Sequence, residues 1–132
     1  MIAVDTSALL HIAFADPGHR DSVAILLGRS ARLVSAASVV EVQAVLASRA
    51  EQPREALDRL LTLLRVEIGA VDGTQVEIAR DAHLTFGRAS SHPARLNNGD
   101  TFPYARARAR DVPLAFVGDH FSLTDLRLLR LA

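Results

Sequence analysis

The strongest constraint on the fold is a repeated alternation between short, mostly apolar runs and longer amphipathic stretches. The apolar runs occupy residues 2–4, 32–35, 66–71 and 112–117, and residues 126–131 could add a short fifth run. Runs of this length that lack a regular polar alternation are typical of strands buried on both faces of a parallel sheet. The pattern predicts an α/β fold in which a central parallel sheet of four to five strands carries helices on both faces.

The stretches between these runs show the apolar spacing of helices. Asp5 ends the first run, and Thr6 and Ser7 begin a helical segment. Further helices are predicted over residues 19–28, 38–50, 53–64, 72–86 and 100–111, whereas residues 87–99 are polar and irregular enough to form a loop. No linker or internal repeat interrupts this order, so residues 1–132 are predicted to form one domain.

Composition excludes several kinds of chemistry. The chain has no cysteine, which excludes disulfides, thiolate metal ligands and cysteine nucleophiles. Its 15 basic residues are all arginine and balance 15 acids, so any basic surface must be local. The absence of lysine argues against P-loop nucleotide hydrolysis and receiver-like phosphotransfer, because both rely on a lysine that neutralises phosphate.

Nothing in the chain predicts a membrane segment. The apolar start at residues 2–4 is too short for the core of a signal peptide and no basic residue precedes it. No run of about 18 apolar residues is present, which is the length that a membrane-spanning helix needs. We therefore expect a cytoplasmic protein that does not enter a membrane.

Four acidic residues stand at related points of the predicted topology: Asp5, Glu41, Asp100 and Asp119. Asp5 and Asp119 follow the first and fourth strands, and ligand sites in open parallel sheets lie beyond the carboxyl ends of the strands. Glu41 is expected in the first turn of the helix after strand two, and Asp100 at the start of the helix leading to strand four. A set of oxygen ligands without histidine or cysteine suits Mg²⁺ or Mn²⁺, ions that activate water for attack on phosphate.

Each acid also has a plain structural interpretation that the sequence leaves open. Asp5 and Asp100 could each cap a helix, and Asp119 could be a turn residue. Ser38 and Glu41 match a capping box, in which the serine caps the helix and the glutamate reaches back to its N–H. Only the joint placement of the four acids separates a metal site from four unrelated structural roles.

Four segments carry a resemblance to a known family. They are residues 4–9 (Val-Asp-Thr-Ser-Ala-Leu), 38–41 (Ser-Val-Val-Glu), 96–105 (Leu-Asn-Asn-Gly-Asp-Thr-Phe-Pro-Tyr-Ala) and 113–121 (Pro-Leu-Ala-Phe-Val-Gly-Asp-His-Phe), the last followed by Thr124 and Asp125. In this order and spacing the chain resembles the PIN-domain ribonucleases, and among them the VapC toxins of bacterial toxin–antitoxin pairs. The resemblance implies a Mg²⁺- or Mn²⁺-dependent endoribonuclease in which Asp5, Glu41 and Asp100 are catalytic acids and Asp5 and Asp100 hold the metal.

The resemblance implies further roles and one departure. Ser7 and Thr101 are expected to support the metal-binding carboxylates. Where the family usually has an aspartate just before a phenylalanine, this chain has His120 before Phe121, so either Asp119 takes the place of the fourth acid or the site works with three. The expected partners are an RNA substrate, a VapB-like antitoxin and a second copy of the chain in a homodimer.

An RNA backbone needs cationic contacts, and four arginines are placed to supply them. Arg106 and Arg110 share one face of the helix that begins at Asp100, and Arg88 and Arg95 lie in the irregular segment before it. The alternative is a solvated helix face whose arginines pair with acids. Two other functions also stay open: a catalytically impaired relative that binds RNA or a partner, and a related nuclease that acts on DNA.

Overall fold

The computed structural model describes all residues 1–132 and contains five strands and six helices. In chain order these are β1 (Ile2–Val4), α1 (Thr6–Ala13), α2 (His19–Leu27), β2 (Arg32–Ser35), α3 (Ala36–Arg49), α4 (Pro53–Leu63), β3 (Val66–Gly69), α5 (Gly73–Phe86), α6 (Asn98–Arg110), β4 (Leu114–Phe116) and β5 (Leu128–Arg130). None of the helices is long and apolar enough to cross a membrane.

All five strands are parallel and are arranged in the order β3-β2-β1-β4-β5. The first strand is therefore central, with Ala3 opposite Leu33 of β2 and Leu114 of β4. Because the strands run the same way, their carboxyl ends meet at one edge of the sheet. The predicted α/β class, including the short fifth strand, is confirmed.

Two hydrophobic cores lie on opposite faces of the sheet. Ile2 and Val4 of β1 point into the first core, which α1, α3 and α4 cover, while Ala3 points into the second core, which α5 and α6 cover. Successive residues of a strand face opposite sides, so a sheet covered on both faces needs apolar residues at every position. This explains why the strands of this chain lack polar alternation.

Helix α3 begins two residues earlier than the sequence pattern suggested. Its N-cap is Ser35, whose side chain accepts a hydrogen bond from Ala37 N at 3.3 Å. Strand β2 ends at Ser35 and leads into the helix without a loop, so the serine nearest the strand takes the cap. The capping box of Ser38 and Glu41 is therefore wrong, and so is the first-turn position of Glu41: Ser38 lies inside the helix with its hydroxyl buried and unpaired, and Glu41 lies in the second turn.

The segment between β4 and β5 is tied to helix α6. Tyr104 on α6 donates a hydrogen bond to Asp125 at 2.7 Å, and Arg108 lies 3.6 Å from the same carboxylate. Burial first, and then the hydrogen bond to Asp125, raise the pKa of the Tyr104 hydroxyl, which therefore stays a donor. This contact holds the segment that carries Asp119 and His120 against the helix that carries Asp100.

Candidate active site

Asp5 is held at the point where the central strand ends and helix α1 begins. Its backbone N–H bonds the carbonyl of Ala115 at 2.9 Å, which continues the sheet, and its side chain is only 4% exposed. One carboxylate oxygen, Oδ2, accepts from both the N–H and the hydroxyl of Ser7, at 2.9 and 2.5 Å. The Ser7 hydroxyl accepts in turn from Val117 N at 3.0 Å. Asp5 is thus a helix cap and also a site residue, because its second oxygen takes no part in the cap.

Glu41 reaches the same place from helix α3. Its carboxylate accepts a hydrogen bond from the Thr6 hydroxyl at 3.4 Å. It also lies directly against Gly99, where an added Cβ would stand 2.7 Å from Oε2 and 2.8 Å from Oε1 of Glu41. A side chain at position 99 would displace the carboxylate, so this glycine leaves the space that the Glu41 carboxylate occupies at the start of α6.

Asp100 enters from the first turn of α6. Asn97 caps this helix and forms a capping box with Asp100: Asp100 N donates to Asn97 Oδ1 at 2.9 Å, and Asn97 N donates to Asp100 Oδ2 at 3.0 Å. The other oxygen, Oδ1, lies 3.4 Å from Nδ1 of His120. Like Asp5, Asp100 uses one oxygen for its own helix start and presents the other to its surroundings.

The three carboxylates line one small cavity of about 170 Å³. Its nine lining residues are Asp5, Thr6, Ser7, Leu10, Glu41, Asn97, Gly99, Asp100 and His120. We call it the acidic cavity. It lies at the carboxyl edge of the sheet, where the topology predicted a ligand site.

Burial and neighbouring negative charge both raise the pKa of Asp5 and of Glu41. Burial, with a smaller contribution from the charges of Asp100 and Glu41, raises the pKa of Asp5 from 3.8 to about 6 against the hydrogen bonds from Ser7. Burial also raises the pKa of Glu41, opposed by the hydrogen bond from Thr6 and assisted by the charge of Asp100. A bound cation would offset the repulsion and favour the charged forms of Asp5 and Glu41.

The donor chemistry of the acidic cavity fits a hard divalent ion, since the carboxylates supply only oxygen. No three acidic or histidine side chains, however, lie close enough together to hold one ion in the structure as it stands. The carboxylates line a cavity without converging on a point. An ion held by three of these side chains would therefore require at least one carboxylate to move.

Asp119 lies outside the acidic cavity. Its side chain is 87% exposed and accepts a hydrogen bond from Arg130 at 2.5 Å, while the Arg130 guanidinium lies over the Phe116 ring. Asp119 does line a neighbouring cavity to which Asp100 and His120 also contribute. The structure thus brings Asp5, Glu41 and Asp100 together in the acidic cavity and places Asp119 at the neighbouring cavity.

The two residues predicted to support the carboxylates are placed differently. Ser7 contacts Asp5 directly, as described above. Thr101 is buried, and its hydroxyl donates to the carbonyl of Asn98 at 2.7 Å, so it stabilises the start of α6 rather than a carboxylate.

The four predicted RNA-contacting arginines separate into two pairs. Arg106 is buried, donates to the carbonyl of Ala70 at 2.7 Å and packs its guanidinium against Gly69, so it is not available to a substrate. Arg110 lies 3.6 Å from Glu67 in an ion pair. The remaining two, Arg88 and Arg95, line the cavity that Asp119 also borders.

Sequence reasoning did not single out three residues that the structure places at the site: Thr6, Asn97 and His120 in its contact with Asp100. Asn97 had a readable signal, because an asparagine three residues before an aspartate at a helix start matches a capping pair. Thr6 and Glu41 are 35 positions apart, and His120 and Asp100 are 20 positions apart, so no local sequence pattern predicts these contacts.

The sequence is similar to a defined family and to curated relatives. A family profile for the PIN domain matches residues 2–125. The ribonuclease VapC42 of Mycobacterium tuberculosis is 39% identical over 126 residues, covering 94% of this chain and 95% of that protein. The ribonuclease VapC30 of the same species is 36% identical over 132 residues, covering 98% of this chain and 99% of the relative.

Solved structures share the fold over nearly the full length. VapBC2 from Rickettsia felis, solved with a DNA fragment from its promoter, matches with a TM-score of 0.77 at 17% identity and 98% coverage of both chains. VapC20 of Mycobacterium tuberculosis, described as a toxin that cleaves the sarcin-ricin loop, matches with a TM-score of 0.73 at 15% identity and 96% coverage of both chains. At these identities the likeness is one of architecture.

Proposed function

The chain belongs to the PIN domain family and is related over nearly its whole length to the VapC ribonucleases, and on that premise we propose that it is a metal-dependent endoribonuclease, the toxin of a VapBC-type toxin–antitoxin pair. One observation carries the proposal. Three carboxylates that are far apart in the sequence, on Asp5, Glu41 and Asp100, line a single cavity at the carboxyl edge of the sheet.

Asp5 and Asp100 would hold the ion, with Glu41 beside them, and Mg²⁺ or Mn²⁺ matches their oxygen donors. When bound, such an ion supplies an activated water and stabilises the negative charge that builds up on a phosphate under attack. The inference to Mg²⁺ or Mn²⁺ rests on donor type and on the proximity of the carboxylates, whose charges add to burial in raising the pKa of Asp5 and of Glu41.

The chain's own residues prepare the site in two ways. Ser7 and Asn97 each fix one oxygen of a neighbouring carboxylate, Oδ2 of Asp5 and Oδ2 of Asp100, which leaves the other oxygen of each free. Rigid presentation of this kind lowers the cost of ordering ligands when a substrate binds. Glu41 has one oxygen near the Thr6 hydroxyl and is a candidate to accept the proton of the attacking water.

Asp119 is proposed to contribute negative charge beside Asp100 rather than from within the acidic cavity. Its carboxylate is engaged by Arg130, so a ligand role would require that ion pair to open. The site as folded works most directly with three acids.

RNA is the proposed substrate, and a VapB-like antitoxin and a second copy of the chain are the proposed protein partners. The resemblance to VapC toxins and the VapBC architecture of the Rickettsia felis neighbour support the antitoxin. An arginine on an antitoxin tail could bind the free carboxylate oxygens of the acidic cavity through paired hydrogen bonds.

The decisive experiment is metal-dependent cleavage of single-stranded RNA by the purified protein. We expect cleavage with Mg²⁺ or Mn²⁺, none with EDTA and none from the Asp5→Asn variant. A DNA oligonucleotide of the same sequence separates a ribonuclease from a deoxyribonuclease. Wild-type protein that binds RNA but leaves it intact under all metal conditions would favour the catalytically impaired alternative, for which His120 beside Asp100 is the motivating feature.

A further inference from the structure

A second cavity of about 280 Å³ adjoins the acidic cavity and has a different character. It is lined by Arg88, Pro93, Ala94, Arg95, Asp100, Asp119 and His120. Asp100 and His120 line both cavities, so the two open beside each other. We call the second one the basic cavity.

The guanidinium groups of Arg88 and Arg95 have no ion-pair or hydrogen-bond partner within the protein. By contrast, Arg80, Arg108, Arg110, Arg127 and Arg130 each lie within 4.0 Å of a carboxylate. The one further acid of the basic cavity, Asp119, is already paired with Arg130. Two unpaired cations therefore line a cavity in which Asp119 is paired with Arg130 and Asp100 has one oxygen bound within its capping box.

The backbone on both sides of the loop between the two arginines is fixed by hydrogen bonds. Gly87 and Leu96 form an isolated bridge, in which Arg88 N bonds Leu96 O at 3.2 Å and Leu96 N bonds Phe86 O at 2.8 Å. Arg88 follows one bridge residue and Arg95 precedes the other. Because the bridge is parallel, the two arginines lie diagonally across it and not opposite each other, and both line the basic cavity, where an anion would offset their charges.

The loop that joins the two arginines is itself ordered. The His92 ring packs edge-on against Phe86 with centroids 4.8 Å apart, and His92 Nδ1 accepts from Ala94 N at 3.0 Å. Arg95 adopts a left-handed backbone with φ of 51°, a conformation that is unfavourable for a residue with a side chain. The loop keeps this conformation at the point where it presents the Arg95 side chain.

His120 stands at the boundary between the two cavities. Its ring is 61% exposed, and Nδ1 lies 3.4 Å from Asp100 Oδ1. An imidazole at this place can donate one hydrogen bond in its neutral form and can stack on a base. Where the family pattern has an aspartate, this chain therefore offers a group that does not repel a phosphate.

We propose that the basic cavity is a phosphate subsite for single-stranded RNA, in which Arg88 and Arg95 bind the phosphodiester next to the one positioned over the acidic cavity and His120 contacts the nucleotide between them. The inference rests on the proposed ribonuclease function and adds to it a second binding position along the RNA strand. Three clustered carboxylates repel the phosphates of RNA, so a bound strand needs cationic side chains nearby. A planar guanidinium group suits this role because it can donate two hydrogen bonds to the oxygens of one phosphate.

The test measures binding separately from cleavage. Fluorescein-labelled single-stranded RNA is titrated with protein in EDTA, where no cleavage is expected, and anisotropy is followed at several salt concentrations. Arg88→Ala and Arg95→Ala are each expected to weaken binding about tenfold and to reduce the slope of log affinity against log salt by about 0.7. Arg88→Lys and Arg95→Lys are each expected to keep the slope and only part of the affinity, and His120→Ala to weaken binding with an unchanged slope.

The matched controls are Arg20→Ala on α2 and Arg59→Ala on α4. Both arginines are exposed, neither has an ion pair or hydrogen bond, and neither lines the two cavities, so binding is expected to stay at the wild-type level. In Mg²⁺, Arg88→Ala is expected to raise KM for cleavage while kcat is largely kept.

The outcomes separate the two proposals. Wild-type protein that binds RNA with the expected salt slope but never cleaves it contradicts the ribonuclease function and leaves the subsite standing. Cleavage by the wild type, with affinity and slope for Arg88→Ala and Arg95→Ala equal to those of the Arg20 and Arg59 controls, overturns the subsite alone.

Discussion

The carboxylate of Glu41 lies against the α-carbon of Gly99, so closely that a Cβ there would stand 2.7 Å from Oε2. Through this contact the Glu41 carboxylate of α3 lies at the start of α6, in the cavity that Asp100 also lines. Gly99 lies within the first turn of a helix, where alanine is otherwise favoured. A glycine at this position is therefore explained by the space that the Glu41 carboxylate occupies and not by helix propensity.

Gly99→Ala is expected to lower ribonuclease activity at least tenfold, because the added methyl displaces the Glu41 carboxylate. Stability is expected to change by no more than about 1 kcal/mol, since the gain in helix propensity offsets the displacement of a partly exposed side chain. Cleavage rates and urea unfolding measure the two effects. Gly73→Ala is the matched control, because Gly73 also starts a helix and an added Cβ there meets nothing within 4 Å.

The Ser7 hydroxyl links the central strand's acid to the end of β4. It donates to Asp5 and accepts from Val117 N, so Ser7→Ala leaves a backbone N–H without its partner and costs about 1–3 kcal/mol. The lost hydrogen bond also raises the pKa of Asp5 further and frees its carboxylate to turn. We expect a lower unfolding midpoint together with a fall in kcat, whereas Ser48→Ala, which removes an exposed hydroxyl on α3, should change neither. Unchanged kcat in Ser7→Ala would contradict the positioning role.

The raised pKa of Asp5 predicts an unusual dependence of stability on pH in the metal-free protein. Between its unfolded value of 3.8 and its folded value of about 6, the folded state keeps a proton that the unfolded state releases. Stability from this group is therefore fully present below pH 3.8 and is lost as pH rises to about 6, by about 3 kcal/mol at most. Glu41 shifts in the same direction.

Urea unfolding in EDTA at several pH values between 4 and 7 measures this dependence. The Asp5→Asn variant is expected to show a flatter profile than the wild type, and Mg²⁺ is expected to stabilise the wild type most above pH 6, where the carboxylates are charged. A wild-type profile that rises with pH relative to Asp5→Asn would contradict the burial of this carboxyl.

Glu41→Gln removes the charge of this side chain but keeps its shape, so it tests whether the charge is needed for cleavage. The capping alternative is excluded because α3 begins at Ala36, and a glutamine can still accept from Thr6 and pack against Gly99. We expect normal folding, equal or higher stability without metal because a repulsive charge is gone, and loss of at least a hundredfold in cleavage rate. Calorimetry with Mg²⁺ should show weaker binding. Glu55→Gln, an exposed acid in the first turn of α4, is the control that should keep full activity.

The sequence allowed the fold and the approximate place of the site to be predicted for a physical reason. Short apolar runs separated by helices permit only a parallel sheet, and a parallel sheet collects Asp5 and the acids of the adjoining helices at one edge. The topology therefore locates the site at that edge of the sheet. Which side chains contact each other there depends on how each helix is rotated about its own axis, and the topology does not determine that rotation.

Two failures show this limit. Ser35 and Ser38 are both good caps, and the choice between them moves Glu41 from the first turn to the second. In α6, arginine alternates with alanine from residue 106 to 110, a pattern without helical period, so nothing marked Arg106 as the one that turns inward.

Asp119 offers the sharpest remaining test of how many acids the site uses. Its carboxylate faces Arg130 and lies outside the acidic cavity, whereas Asp100 is buried and lies within it. If Asp119 acts only through its charge, Asp119→Asn should lower the cleavage rate less than tenfold, and Asp100→Asn, which keeps an acceptor for the capping box, should lower it at least a hundredfold. Arg130→Gln frees Asp119 without removing its charge and should leave the rate near that of the wild type. Equal losses in Asp119→Asn and Asp100→Asn would instead mean that the Asp119–Arg130 pair opens and that Asp119 serves as the fourth acid.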